Sequence, residues 1–150
     1  MQKAITLLLA LGISVLASSF TKEKKVTTSS LSVSVSGIPS VSGNVYLLVY
    51  NQALGFPSNP EKAYKKVATK VTAANQIVVI ENLPSGNYSI VGFHDKNTNN
   101  EFDKTWYGSP KESYGFTNTP NNFCGTPSFQ QTSFQYDGKA AVVKIQLIVK

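Results

Sequence analysis

Arginine is absent: all 14 basic residues of the chain are lysine. The bidentate guanidinium contacts that hold phosphate and guanine are therefore unavailable to it. The formal net charge of +6 thus does not point to a nucleic-acid partner, and none is expected. One cysteine, Cys124, excludes an internal disulfide framework and a cysteine-rich zinc site. One histidine, His94, excludes metal catalysis by several imidazoles. Acids are few as well, 8 among 150 residues. Most enzyme classes fail on this inventory, and the chain is read as non-catalytic. What is present, 41% hydrophobic and 15% charged residues, suits one folded globular domain rather than a disordered chain.

Met1 to Ser19 has the pattern of a secretory signal peptide, with Lys3 ahead of an apolar stretch and a cleavage signal at Val15-Leu16-Ala17 or Ala17-Ser18-Ser19. The stretch Ala4 to Ala17 has 14 residues, short of the ~20 that a membrane-crossing helix needs. Cleavage is expected, leaving no membrane span and an exported protein, periplasmic or extracellular. Residues 20–30 follow as a flexible tail carrying Lys22, Lys24 and Lys25 among threonine and serine. From Leu31 onward there are 10 lysines against 7 acids, so the single domain at 31–150 is only mildly basic.

Within that domain the apolar residues alternate. Leu31, Val33 and Val35 alternate with serines; Val45 to Tyr50 is apolar or aromatic on both faces, as in a central strand. Val67–Ala73, Ile77–Ile80, Tyr88–His94, Ser128–Tyr136 and Ala140–Val149 complete seven predicted strands, with turns at Pro84-Ser85-Gly86-Asn87 and Asp137-Gly138. Only Asn59-Pro60-Glu61-Lys62 reads as a helix start, with Ala63, Tyr64 and Val67 as its apolar edge. The pattern predicts an all-β fold: an antiparallel seven-stranded β-sandwich, immunoglobulin-like or prealbumin-like. Tyr88, just after the Leu83 to Asn87 corner, is expected to be buried and to brace it.

The interval from Asp95 to about Thr126 is long for a compact domain, and such loops are usually functional. It holds four of the eight acids and a run of aromatics. Asp95, Asn97, Asn99, Glu101 and Asp103 place oxygen donors at alternate positions, the pattern of a calcium loop. Asp95, Asn97 and Asn99 take its first, third and fifth places, Glu101 serves through its main-chain carbonyl, and Asp103 takes the ninth. Asn100 stands where glycine is usual, and Trp106 where a bidentate glutamate belongs; Glu112 lies beyond and is the candidate to fold back into that place. A polar turn whose Asp and Asn side chains bond their own backbone uses the same residues. Trp106, Tyr107, Glu112 and Tyr114 form a second candidate set, for contact with a carbohydrate or peptide. His94 and Asp95 are adjacent on a strand, so their side chains point to opposite faces and do not make a catalytic pair. Cys124 is read as an unpaired thiol without a role.

Four runs carry a resemblance: Leu83-Pro84-Ser85-Gly86-Asn87-Tyr88, His94-Asp95-Lys96-Asn97, the segment from Gly108-Ser109-Pro110 through Tyr114-Gly115-Phe116-Thr117-Asn118, and Pro127-Ser128-Phe129. In order and spacing they resemble a bacterial secreted family catalogued as domain of unknown function 2141, over about Leu31 to Val149. The resemblance implies a small secreted β-sandwich and supplies no activity. The family's usual loop has glycine where this chain has Asn100, and Cys124 is outside its pattern.

Overall fold

The computed structural model describes residues 29–120 and 125–148. The expected signal peptide, most of the expected tail and Cys124 lie outside them. Among the described residues the chain is all-β, with eight strands in two sheets and almost no helix. β1 (Ser29–Ser36), β4 (Gln76–Leu83) and β8 (Ala141–Gln146) form the smaller sheet in the order β4-β1-β8. β2 (Asn44–Tyr50), β3 (Lys65–Lys70), β5 (Gly86–Asp95) and β6 (Tyr114–Phe116) form the larger one in the order β3-β2-β5-β6, with β7 (Phe134–Tyr136) also on β5.

The alternation of Leu31, Val33 and Val35 works as expected. All three are fully buried, and the register sets Leu31 opposite Ile80 and Val33 opposite Val78. From the larger sheet, Val45, Leu47, Val49 and Ile90 close the same core. Tyr88 is buried and its hydroxyl donates to the Pro84 carbonyl at 3.0 Å, bracing the corner between β4 and β5.

Three expectations are corrected. The strands number eight, not seven. The sheets are not wholly antiparallel, because β8 runs parallel to β1, with Val33 opposite Val143. The stretch from Ser128 to Tyr136 is not one strand: α1 (Phe129–Thr132) occupies its first half. Ser128 Oγ accepts the Gln131 N–H at 3.3 Å while Gln131 Oε1 accepts the Ser128 N–H at 2.8 Å. This reciprocal capping box satisfies two N-terminal donors that a strand would have had to pair. The short helix or turn expected at Asn59-Pro60-Glu61-Lys62 is there, as a single 3-10 turn, Pro60–Lys62, capped by Asn59; at Ala63 the backbone is already extended, so no edge of Ala63, Tyr64 and Val67 forms.

The unexpected strand is β6. Three residues with a central glycine carry no readable period. Gly115 is there because β6 passes so close to β8 that a β-carbon would run into the Gln146 carbonyl. Between β6 and β7 the edge of β5 is finished by Thr117: its N–H donates to the Ile90 carbonyl at 3.0 Å and its Oγ1 accepts the Ile90 N–H at 3.1 Å. Among the described residues no helix is long and apolar enough to cross a membrane.

Candidate functional site

β5 ends at Asp95, whose carboxylate is fully buried, 0% exposed. It is not the solvated acid that a loop position suggests. Oδ2 accepts the Asn100 N–H at 2.8 Å and Oδ1 the Asn99 N–H at 3.2 Å, so one carboxylate winds the next five residues about itself. Asn100 takes the tight turn with φ of 62°, and Thr98 stands at φ of 59°. Asparagine tolerates that left-handed region better than most residues, which is how the turn survives without glycine; for a β-branched threonine it is strained. Asn97 Oδ1 accepts the Asn99 N–H at 3.3 Å, and Asn99 Oδ1 the Glu101 N–H at 2.9 Å. Both amide groups donate to Asp103, from Asn97 Nδ2 at 2.8 Å and Asn99 Nδ2 at 3.2 Å.

Glu112 returns to this loop from nine residues beyond Asp103. It is 8% exposed. Its two oxygens accept main-chain N–H groups from either end of the loop, Lys96 at 3.3 Å and Asp103 at 3.1 Å. Burial pushes its carboxyl above the usual range. Those two N–H groups oppose the shift, and the charges on Asp103 and Asp95 add to it. Three carboxylates thus lie within electrostatic reach of one another, and among the described residues none of them carries an ion pair. No three His, Cys, Asp or Glu groups among the described residues converge as a metal cage by themselves. A hard cation here would draw on the Asn97 and Asn99 amides and the Glu101 carbonyl as well. Those amides now present their nitrogens to Asp103, so the fit requires each to turn over and offer oxygen instead. With that rotation the donors suit calcium in kind and number.

His94 is buried, and its Nε2 lies 2.7 Å from the Ser42 carbonyl oxygen, a structural contact made away from Asp95.

The second candidate set is divided. Trp106 and Tyr107 stand at the tip of a turn, 96% and 67% exposed, with ring centroids 5.3 Å apart and nearly perpendicular. The turn is fixed by Thr105, whose N–H donates to the Ser109 carbonyl at 2.8 Å and whose Oγ1 accepts the Ser109 N–H at 3.0 Å. Glu112 faces the loop backbone, not a ligand. Tyr114 lies on β6, in a different place: a cleft of about 730 Å³ over the outer face of the larger sheet. Tyr46 and Phe93 stack on its floor with centroids 5.2 Å apart, and Phe102 bridges Phe93 and Tyr114. One wall, including Pro57 and Pro60, is held from below by Tyr50. Its buried hydroxyl donates to the Asn59 carbonyl at 3.0 Å, and burial pushes its pKa up to about 12. The opposite wall is Asn100 to Lys104.

The sequence reading did not single out this cleft. Its only signal was that Val45 to Tyr50 is apolar or aromatic on both faces, so the outer face had to be covered too. What covers it comes from three separate segments.

A model of the family described as an uncharacterized protein conserved in bacteria (DUF2141) matches residues 33–144. No curated protein and no solved structure matches the chain.

Proposed function

The chain belongs to this uncharacterized bacterial family, DUF2141, and we propose that it is an exported, non-catalytic β-sandwich module whose Asp95–Asp103 loop is organised by calcium. The sandwich is of the immunoglobulin-like or prealbumin-like kind. The observation that carries the calcium reading is the return of Glu112: a buried carboxylate closing on a loop that already holds Asp95 and Asp103, with no basic side chain among the described residues paired to any of them. Burial first, and then the charges of Asp103 and Asp95, raise the cost of ionising Glu112, which a bound cation would offset. Asn100 supports it by adopting the positive φ that the sixth loop position needs. Export rests on the signal-like Met1 to Ser19. The non-catalytic reading is supported by the engagement of His94 with a main-chain carbonyl.

The test is a melting curve in millimolar calcium and in chelator. Binding to the folded state stabilises it by about 2.7 kcal/mol at a hundredfold excess over the dissociation constant, which is several degrees for a domain of this size. Asp103→Asn and Glu112→Gln should each reduce the shift. Asp95→Ala is the poorer probe, because that carboxylate also winds the loop. Equal melting temperatures in calcium and chelator would leave the loop as a hydrogen-bonded polar turn.

A second reading is contact with a carbohydrate or peptide through the loop aromatics. It is favoured by the exposure of Trp106 and Tyr107 on a hydrogen-bonded turn, where little backbone order has to be gained on binding.

A further inference from the structure

The cleft over the larger sheet shares Asn100 and Glu101 with the calcium loop and reaches Gly108 of the Trp106 turn, but Asp95, Asn97, Asn99, Asp103, Trp106 and Tyr107 do not line it. Its volume, about 730 Å³, is in the range of small-ligand sites. The floor is aromatic but not closed. Tyr46 and Tyr114 make ring contacts, yet no hydrogen bond from either hydroxyl occurs among the described residues. Both residues are half-buried, so part of each side chain stays accessible. They lie within the lining of one cleft.

The rim carries both signs of charge. Lys66 and Glu61 pair at 2.5 Å on one side. Glu101 and Lys104 lie on the other, with the Lys104 ammonium 5.8 Å from the Phe102 ring centroid. The lining holds two acids and two lysines, so it carries no net charge to select an anion or a cation.

From these observations we infer that the cleft binds a neutral oligosaccharide. Sugar rings present C–H faces that pack on Tyr46, Phe93 and Phe102, and hydroxyls that both donate and accept. Such hydroxyls satisfy phenols, carboxylates and ammonium groups alike. A peptide fits less well. On the floor, β2 is paired on both sides, and β5 is paired to β2 and β6. An added strand would therefore find no free main-chain edge there. A proline-rich peptide suits an aromatic groove but has no N–H at its prolines. It would leave Glu101, which has no ion pair among the described residues, short of donors and partly desolvated.

The experiment is calorimetric titration of the protein with cellopentaose, xylopentaose, maltopentaose and chitopentaose, and with a proline-rich decapeptide, in calcium and again in chelator. Saturable binding of at least one sugar in either medium is expected. Tyr46→Phe and Tyr114→Phe remove only a hydroxyl and should each weaken it by about 3- to 10-fold, the worth of one hydrogen bond. Val142→Ala, exposed on β8 of the other sheet, should leave it unchanged. Unaltered circular dichroism of the phenylalanine variants would show that the loss is not unfolding. The inference is overturned if no sugar saturates at millimolar concentration, if the decapeptide binds in their place, or if binding survives both phenylalanine variants and vanishes in Trp106→Ala. A sugar bound in chelator stands even if the calcium reading fails.

Discussion

On its inner side the larger sheet presents Val45, Leu47, Val49 and Ile90, which meet Leu31, Val33, Val78 and Ile145 of the other sheet. On its outer side the same strands present Tyr46, Leu48, Tyr50, Val91 and Phe93, which meet Phe56, Phe102, Phe116 and Phe129. The first cluster is mostly β-branched and aliphatic, and the two sheets enclose it. The second is aromatic and is covered by pieces of three connecting segments. Sheet against sheet gives two regular surfaces that fill each other. Loops against a sheet give an irregular roof, so large rings bridge the gaps and a cleft remains between Pro57 and Phe102. One sheet thus has one sealed face and one half-covered face.

The difference can be tested by substitution. Leu47→Ala, on the sealed face, should cost about 2–5 kcal/mol in chemical denaturation, because a filled core relaxes little around a cavity. Tyr46→Ala, its neighbour on the other face, should cost about 1–2 kcal/mol, mostly the stacking on Phe93 and partial burial. Equal costs would mean that the outer face is packed as tightly as the inner one. Tyr88→Phe keeps the ring and removes the hydroxyl bond to Pro84; a loss of about 1 kcal/mol is expected. Trp106→Ala should change stability by no more than about 0.5 kcal/mol, since the ring touches little but Tyr107. A larger loss there would show that the tip is part of the fold.

The acidic border of the outer face adds a dependence on pH that the inner face cannot have. Glu112 is raised in the folded state, first by burial. A raised acid binds its proton more tightly when folded, so its contribution is fully present below the unfolded glutamate value and is lost as pH rises through the folded one. In chelator the wild type should therefore lose stability across that window relative to Glu112→Gln. In calcium the trend should oppose this, because ligation needs the ionised carboxylate and the calcium-induced shift should shrink as pH falls through the same range. Melting temperatures at a series of pH values, with and without calcium, read both. The same slope in Glu112→Gln as in wild type would assign the dependence to another group.

Local patterns carried much of this in the sequence. Period-two runs gave β1, β3 and β8, a run apolar on both faces gave β2, a β-branched run gave β4, and Asn59-Pro60-Glu61 gave a real, if minimal, helical turn. The Pro84 to Tyr88 corner predicted a buried tyrosine. The spacing from Asp95 to Asp103 marked the loop, and Glu112 was the residue expected to return to it. Where local signals compete, reading them failed. The stretch from Ser128 to Tyr136 has strand-like residues, but a serine and a glutamine three apart capped a helical turn first. β6 was invisible because three residues have no period.

By itself, then, the sequence determined which residues face inward along each long strand, since alternation is a property of neighbouring residues. It also set the loop's potential donors and the absence of arginine and multiple-histidine chemistry. Only the tertiary structure decided that β8 runs parallel to β1, that β6 lies against β8 through Gly115, and that Tyr46, Phe102 and Tyr114 share one cleft. The reason is separation along the chain. Such neighbours are set by how two sheets and three connections pack in space, and no spacing within one segment encodes a surface built from several.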